Sequence, residues 1–417
     1  MKRKIYAQLI DWKSQAHRKP LILNGVRQCG KTYILKKFGQ EAFDNLAYVS
    51  CDRNENLQAI YAGDFDTTRI IRGLSALTGE DIIPGKTLIF LDEVQAFPQA
   101  LEALKYFCED APEYHIVVAG SLLGVALHAG VSFPVGKVQT MRLYPMDFEE
   151  FLMAMGEDQL LKLMRSKDYG LMNALHEKLK DYLRQYYYVG GMPEVVKSYA
   201  EEKLLNQVRT IQNEILSNYA SDFSKHAPTQ EVPRIDMVWQ SILGQLSKEN
   251  KKFVYGVLKK GGRAKEFELA IQWLVDAGLV YKITKVSKPE LPLKFYEDLS
   301  AFKLYLCDCD VLLGDKVFTE YKGAFTEQYV LQQLLASGLT HIYYYSSDTS
   351  RMEMDFLVQR DGDLLPIEVK GGTSLKATSL HNYLMEHPGI PAIRYSMQPY
   401  RQQENITNMP LYGVFLG

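Results

Sequence analysis

A doubly wound, mostly parallel α/β sheet is the fold predicted for the first third of this 417-residue sequence, and three observations predict it. Short apolar runs alternate with helix-patterned segments. A glycine-rich loop follows the first run directly, and an acidic pair ends a later one. The runs stand at 20–24, 47–51, 87–91, 115–120 and 138–144. Strands that alternate with helices in this way imply βα units feeding a parallel sheet.

The first run opens into Gly25-Val26-Arg27-Gln28-Cys29-Gly30-Lys31-Thr32, a complete G-x-x-x-x-G-K-[ST] pattern. A loop that wraps phosphates turns its backbone N–H groups inward, so glycines are needed where side chains would block the anion, and Gly25 and Gly30 fill those places. Lys31 then reaches the β- and γ-phosphates, and the Thr32 hydroxyl ligates magnesium. The following helix, through Tyr33, offers its positive N-terminal end. The nucleotide-contacting set expected here is Gly25, Arg27, Gln28, Cys29, Gly30, Lys31, Thr32 and Tyr33. An ordinary glycine-rich turn is the alternative.

The third run, 87–91, ends in Asp92-Glu93. A buried parallel strand that ends in two acids beside a phosphate loop is a Walker B pattern: Asp92 holds Mg²⁺ through water, and Glu93 orients or deprotonates the attacking water. A surface strand end with two solvated acids is the other reading. Ser121 follows the fourth run, at the carboxyl edge where open α/β sheets bind ligands. It is a candidate γ-phosphate sensor or, equally, a helix N-cap. Arg27 touches the nucleotide, a neighbouring subunit or a local acid, so homo-oligomer formation stays open.

Composition bounds the remainder. The hydrophobic content of 47% is ordinary, and the length suffices for two or three domains with real cores. The net charge of −2 means that any nucleic-acid contact comes from a local patch. The five cysteines (Cys29, Cys51, Cys108, Cys307, Cys309) are scattered, which predicts reduced thiols and no zinc site. Asp11 and Lys13 interrupt the basic start Met1-Lys2-Arg3-Lys4 before any signal-peptide core forms, and the run 116–127 is too short to span a bilayer. A cytoplasmic protein with no membrane partner is expected.

Texture divides the chain into 1–155, the α/β domain; 156–230, a helical lid or linker broken by the turn Gly190-Gly191-Met192-Pro193; 231–315, a winged-helix-like module; and 316–417, a C-terminal α/β domain. Tyr186 to Tyr188 are expected in the core. The module carries Lys248, Lys251, Lys252, Lys259, Lys260, Arg263 and Lys265 against Glu249 and Glu266. This basic strip either tracks a DNA backbone through phosphate contacts or is a solvated helix face.

The C-terminal domain contains the less obvious constellation. Segments 354–359 and 364–370 flank Arg360-Asp361-Gly362-Asp363, and Asp-Gly is a strong hairpin signal. With Arg360 opposite Asp363, Asp355 falls opposite Glu368. One face then becomes wholly apolar (Met354, Phe356, Val358, Leu365, Ile367, Val369), and the other gathers Glu353, Asp355, Glu368 and Lys370. Facing acids with Cβ atoms about 4.5–5.5 Å apart need compensation. A divalent cation supplies it in the arrangement for phosphodiester hydrolysis; Lys370 and an arginine such as Arg351 supply it in a structural one.

The Gly25–Thr32 loop, Leu91-Asp92-Glu93-Val94-Gln95, Gly120-Ser121, Tyr144-Pro145-Met146-Asp147-Phe148-Glu149-Glu150-Phe151 and Gly190-Gly191-Met192-Pro193-Glu194 together resemble the prokaryotic AAA-type ATPase family whose C-terminal half carries a domain of unknown function, DUF4143. The resemblance covers nearly the whole chain. It implies a P-loop NTPase fold, a winged-helix-like middle and a C-terminal region resembling the PD-(D/E)xK nuclease fold. By position it makes Lys31, Thr32, Asp92 and Glu93 the ATP and Mg²⁺ residues. Asp355, Glu368 and Lys370 look like the nuclease triad, with Glu327 as its first-helix acid. Gly136-Lys137 stands where the family often has Gly-Arg, and lysine lacks the planar fork of an arginine finger.

The leading expectation is a Mg²⁺-dependent ATPase that uses nucleotide to switch the relation between its α/β domain and its C-terminal half. An ATP-regulated DNA nuclease and a non-cleaving, nucleotide-gated DNA-binding or adaptor protein are the alternatives.

Overall fold

The computed structural model describes residues 1–121, 124, 133–248, 251–308, 322–347, 352–360, 362–372 and 378–417. They form two compact units, Met1–Pro145 with Asp276–Gly278, and Met146–Val275 with Leu279–Gly417.

The first unit is built on five strands: β1 (Leu21–Asn24), β2 (Asn45–Ser50), β3 (Thr87–Asp92), β4 (His115–Ala119) and β5 (Gln139–Arg142). All pair in parallel, in the order β2-β3-β4-β1-β5. The five expected strands are present, with ends displaced by one or two residues. Every residue of β3 and β4 is buried, as a sheet covered by helices on both faces requires, whereas edge strand β5 alternates. Strand β4 lies between β1 and β3, with Val117 opposite both Leu21 and Phe90. The carboxyl end of β4 therefore emerges between the phosphate loop and the acidic pair.

Helix 67–78 shows how local sequence sets these elements. Asp66 caps it by accepting from the Thr68 amide at 2.9 Å, and it stops at Gly79, whose φ of 73° lies in the left-handed region. Its Ile70 and Leu74 join Leu57, Leu91, Leu104 and Phe107 in one core.

The second unit begins with helices from Phe148–Ala154 to Leu205–His226, then Val232–Leu246 and Ala264–Asp276. It continues into β6 (Val280–Val286), β7 (Glu297–Leu306), β8 (Ile342–Ser346), β9 (Glu353–Arg360), β10 (Asp363–Lys370), β11 (Ala392–Ser396), β12 (Arg401–Gln403) and β13 (Ile406–Pro410). These eight form one mixed sheet, ordered β12-β13-β11-β10-β9-β8-β6-β7. The expected division at 315 thus runs through a single sheet, because β6 of the middle module pairs with β8 in parallel. The break between units falls at Pro145, ten residues before the expected 155.

The turn at 190–193 is a joint of this unit. Helix His176–Val189 ends at Gly190, with φ 78°. The Gly191 amide donates to Asp308 Oδ2 at 2.9 Å, and the Met146 amide donates to the Gly191 carbonyl at 2.6 Å. The Tyr186 hydroxyl donates to the Met146 carbonyl at 2.6 Å. Tyr186 and Tyr187 are core residues, each in edge contact with Tyr329, whereas Tyr188, expected with them, is half-buried.

The β9–β10 hairpin has the expected register, from Arg360 opposite Asp363 to Phe356 opposite Ile367. Asp361 lies outside the described residues; Gly362 has φ 88°. The wholly apolar face does not form as expected. Against β8, Leu357 pairs with Tyr343 but Met354 pairs with Tyr345, so Asp355 and Phe356 together oppose Tyr344. This β-bulge moves Met354 into a cluster with Leu357, Leu364 and Tyr383, while Phe356 packs beside Tyr305.

Candidate functional site

The phosphate loop leaves β1 at Gly25, where a Cβ atom would meet the Leu143 carbonyl oxygen at 2.3 Å and Cys29 Sγ at 2.9 Å. Any side chain there collides with backbone, which is the physical basis of the first glycine of the motif. Gln28 and Gly30 both take left-handed conformations, with φ 64° and 94°, and Gly30 opens helix Lys31–Ala42. The lysine is buried, and its Nζ donates to the carbonyl oxygens of Gly25 and Val26, both at 2.8 Å. Its ammonium is thereby held across the mouth of the loop.

Thr32 and Asp92 meet directly. The hydroxyl of Thr32 donates to Asp92 Oδ2 at 2.8 Å, the Tyr48 hydroxyl reaches the same oxygen at 3.4 Å, and the Glu93 amide donates to Oδ1 at 3.1 Å. Burial raises the pKa of Asp92, with the Glu93 charge acting the same way; the hydrogen bonds from Thr32, the Glu93 amide and Tyr48 oppose them. Two hard oxygen donors in contact, at a helix N-terminus, fit a magnesium ion carrying phosphate.

Glu93 takes a left-handed conformation, φ 51°, that turns it away from the strand direction. Its Oε2 accepts from Ser121 Oγ at 3.4 Å and from Gln95 Nε2. Ser121, at the end of β4, therefore belongs to the acidic pair's surroundings. Gln95, two residues beyond Glu93, joins this set through a contact that no local pattern announces.

The remaining loop residues separate. Cys29 is buried and Arg27 half-buried, and Arg27 has interactions within the protein. Tyr33 is exposed, its hydroxyl accepting from the N-terminal ammonium at 3.0 Å. Lys137 pairs with Glu109 at 2.7 Å. Sequence reasoning missed Arg3. From a buried position its Nη1 donates to the Cys29 carbonyl at 2.9 Å and its Nη2 to the Tyr144 carbonyl at 2.6 Å, tying the phosphate loop to the segment after β5. No local pattern announces an arginine that acts across 141 positions of sequence.

In the second unit, Glu327, Asp355, Glu368 and Lys370 stand in one charged cluster with Lys251, Lys303 and Glu353. Lys370 pairs with Glu368, Lys303 with Glu353 at 3.1 Å, and Lys251 with Glu327, with Asp355 Oδ1 3.9 Å from its ammonium. Lys251 was assigned to the basic strip; it faces these acids instead, while Lys248, Lys252, Lys259, Lys260, Arg263 and Lys265 are exposed and Lys259 pairs with Glu266 at 3.3 Å. Burial, and then Asp355, push Glu368 up to about 7 against the opposing pull of Lys370. Each of the four acids thus faces one of three lysines; Arg351 lies outside the described residues. Among the described residues, no group of three or more His, Cys, Asp or Glu is arranged to hold a metal ion. Cys29, Cys51, Cys108 and Cys307 are free thiols, Cys309 lies outside the described residues, and no described helix is long and apolar enough to cross a membrane.

Residues 17–152 match a family described as AAA domain, residues 180–313 the domain of unknown function DUF8612, and residues 322–412 the domain of unknown function DUF4143. No curated protein sequence matches. Among solved structures, the chain is similar to the Walker-type ATPase of Pyrococcus abyssi at 13% identity, covering 74% of this chain and 94% of that one, with a TM-score of 0.47. It is also similar to the Thermotoga maritima RuvB Holliday junction branch migration motor (11% identity; 67% and 89% covered; TM-score 0.31). A third is the Aeropyrum pernix ORC1 protein in complex with DNA (16% identity; 80% and 92% covered; TM-score 0.29). By these family matches the chain is similar to an AAA domain over residues 17–152, to DUF8612 over 180–313 and to DUF4143 over 322–412.

Proposed function

We propose that the first unit binds ATP with Mg²⁺ and hydrolyses it. The observation that carries this reading is the 2.8 Å hydrogen bond between Thr32 and Asp92, with Glu93 one residue further and anchored by Ser121 and Gln95. Magnesium, when bound, neutralises phosphate charge and orients the terminal phosphoryl group. Thr32 and Asp92 hold it, the second through water. Lys31 exchanges its loop carbonyl partners for phosphate oxygens, and the loop amides from Gly25 to Thr32 bind the remaining charge. Glu93 orients the attacking water and takes its proton, while Ser121 keeps the carboxylate in place. Turnover of MgATP by the full chain tests the reading: Lys31→Ala and Glu93→Gln should each lose at least about a hundredfold in rate. Full activity in Glu93→Gln removes that residue from the chemistry.

For the second unit we favour the non-cleaving reading, in which the DUF4143 region binds or adapts and does not cut. The pairing of Lys251, Lys303 and Lys370 with the acids supports it, because ammonium groups already supply the compensation a catalytic cation would. DNA contact through the exposed Lys248, Lys252, Lys259, Lys260, Arg263 and Lys265 remains part of the proposal. Mixed linear, circular and single-stranded DNA incubated with Mg²⁺ or Mn²⁺, with and without ATP, should stay intact. Cutting that vanishes in Glu368→Ala would replace this reading with a nuclease.

A further inference from the structure

Gln95 uses one half of its side-chain amide and leaves the other without a partner. The Glu93 carboxylate accepts from Ser121 Oγ and from Gln95 Nε2, both on Oε2. A carboxylate only accepts, so Gln95 must present its amino group there, and its carbonyl Oε1 is turned away from that oxygen. Oε1 is buried and, among the described residues, has no hydrogen-bond partner. The backbone beneath it is fixed. Gln95 lies on the single 3₁₀ turn Val94–Ala96, closed by the Ala96 amide on the Glu93 carbonyl at 2.9 Å and the Phe97 amide on the Val94 carbonyl at 3.0 Å. Val94 and Phe97 are both core residues.

We propose that Gln95 holds the attacking water together with Glu93, its carbonyl accepting one O–H of the water while Glu93 accepts the other. The inference rests on the ATPase reading of the first unit and gives that reaction a second water-holding group. A buried carbonyl without a donor costs stability, and water is the donor that hydrolysis brings to this acid. Ser121 and Gln95 both occupy Glu93 Oε2, so Oε1 is the oxygen that takes the proton. Two acceptors, one on each residue, match the two O–H bonds of a water and direct its lone pair outward. The water oxygen then bonds to the γ-phosphorus while the bond from that phosphorus to the β-phosphate oxygen breaks, and ADP keeps the electron pair. One proton passes to Glu93. The other stays on the new phosphate, and Gln95 neither gains nor loses one. Glutamine suits this place better than glutamate, since a second carboxylate would set a like charge beside Glu93. Methionine, of similar length, offers neither the donor to Glu93 nor the acceptor.

The test compares the full chain as wild type, Gln95→Met, Glu93→Ala and the double variant. It measures ATP turnover, affinity for a fluorescent ATP analogue, and affinity for MgADP with aluminium fluoride, which stands in for the phosphoryl group in transfer. Gln95→Met should lose at least about tenfold in kcat, with KM and analogue affinity within about threefold of wild type. A double-mutant comparison separates holding water from anchoring Glu93. With Glu93 already replaced by alanine, Gln95→Met should still weaken the aluminium fluoride complex by at least about threefold. No further loss on that background makes Gln95 a support of Glu93 alone and overturns the inference, as does full turnover in Gln95→Met. A Gln95→Met protein that does not bind the analogue overturns it too, because the residue then props the phosphate loop. Absence of turnover in the wild type overturns the ATPase reading itself, and it is seen before any substitution is made.

Discussion

The Thr32 hydroxyl donates to Asp92 Oδ2 at 2.8 Å across a separation of 60 positions, joining the first turn of the phosphate-loop helix to the end of β3. Burial and the Glu93 charge raise the Asp92 pKa, and this hydrogen bond offsets part of that effect. A cation that replaces the proton between the two oxygens gains from both. Thr32→Ala should therefore raise the Mg²⁺ concentration needed for half-maximal ATP turnover by about tenfold, while Thr32→Ser keeps the oxygen and stays near wild type. A Mg²⁺ titration of the rate decides this. Identical curves for the alanine and serine variants would remove Thr32 from the metal site.

Arg3 fixes the phosphate loop from outside the motif. Its guanidinium donates to the carbonyls of Cys29 and Tyr144, and a planar fork spans two acceptors that a single ammonium does not. Charge-assisted hydrogen bonds are worth about 1.5–3 kcal/mol each when intact. Arg3→Ala should lower stability by about 2 kcal/mol or more and weaken nucleotide binding. Arg3→Lys should recover part of both. Denaturant unfolding and titration with a fluorescent ATP analogue measure the two effects; an unchanged affinity in Arg3→Ala would confine the residue to holding the N-terminus.

The contrast between these residues shows what sequence can carry. Lys31, Thr32, Asp92 and Glu93 were legible because the phosphate loop after β1 and the acids at the end of β3 are each a local pattern of residue types. The hairpin register was legible for the same reason, since Arg360 and Asp363 flank a two-residue turn and alternation does the rest. Arg3 and Lys251 act through contacts 141 and 76 positions away, where no period applies. In the strip, Lys251 has the same local surroundings as the exposed Lys252, and only the fold separates a solvated ammonium from one facing Glu327. The bulge at Asp355 and Phe356 likewise depends on the partner strand β8, which lies beyond the hairpin that alternation can read.

Glu368 makes the cluster sensitive to pH. Burial and Asp355 lift its pKa from 4.5 to about 7, and Lys370 only partly opposes them. The native state thus holds a proton that the unfolded chain releases near 4.5. Between these values the folded form binds more protons, so stability falls as pH rises from about 4.5 to about 7 and levels off above that. The displacement sets an upper limit of about 3 kcal/mol on the loss. Glu368→Gln keeps the neutral shape at every pH. It should flatten this part of the profile and, above pH 7, exceed wild type in stability even though Lys370 loses its partner, because Lys370 is 30% exposed and can turn to water. Urea unfolding at pH 5, 6, 7 and 8 measures both slopes. A wild-type profile that rises across this window would mean that the Lys370 pair, and not burial, governs Glu368.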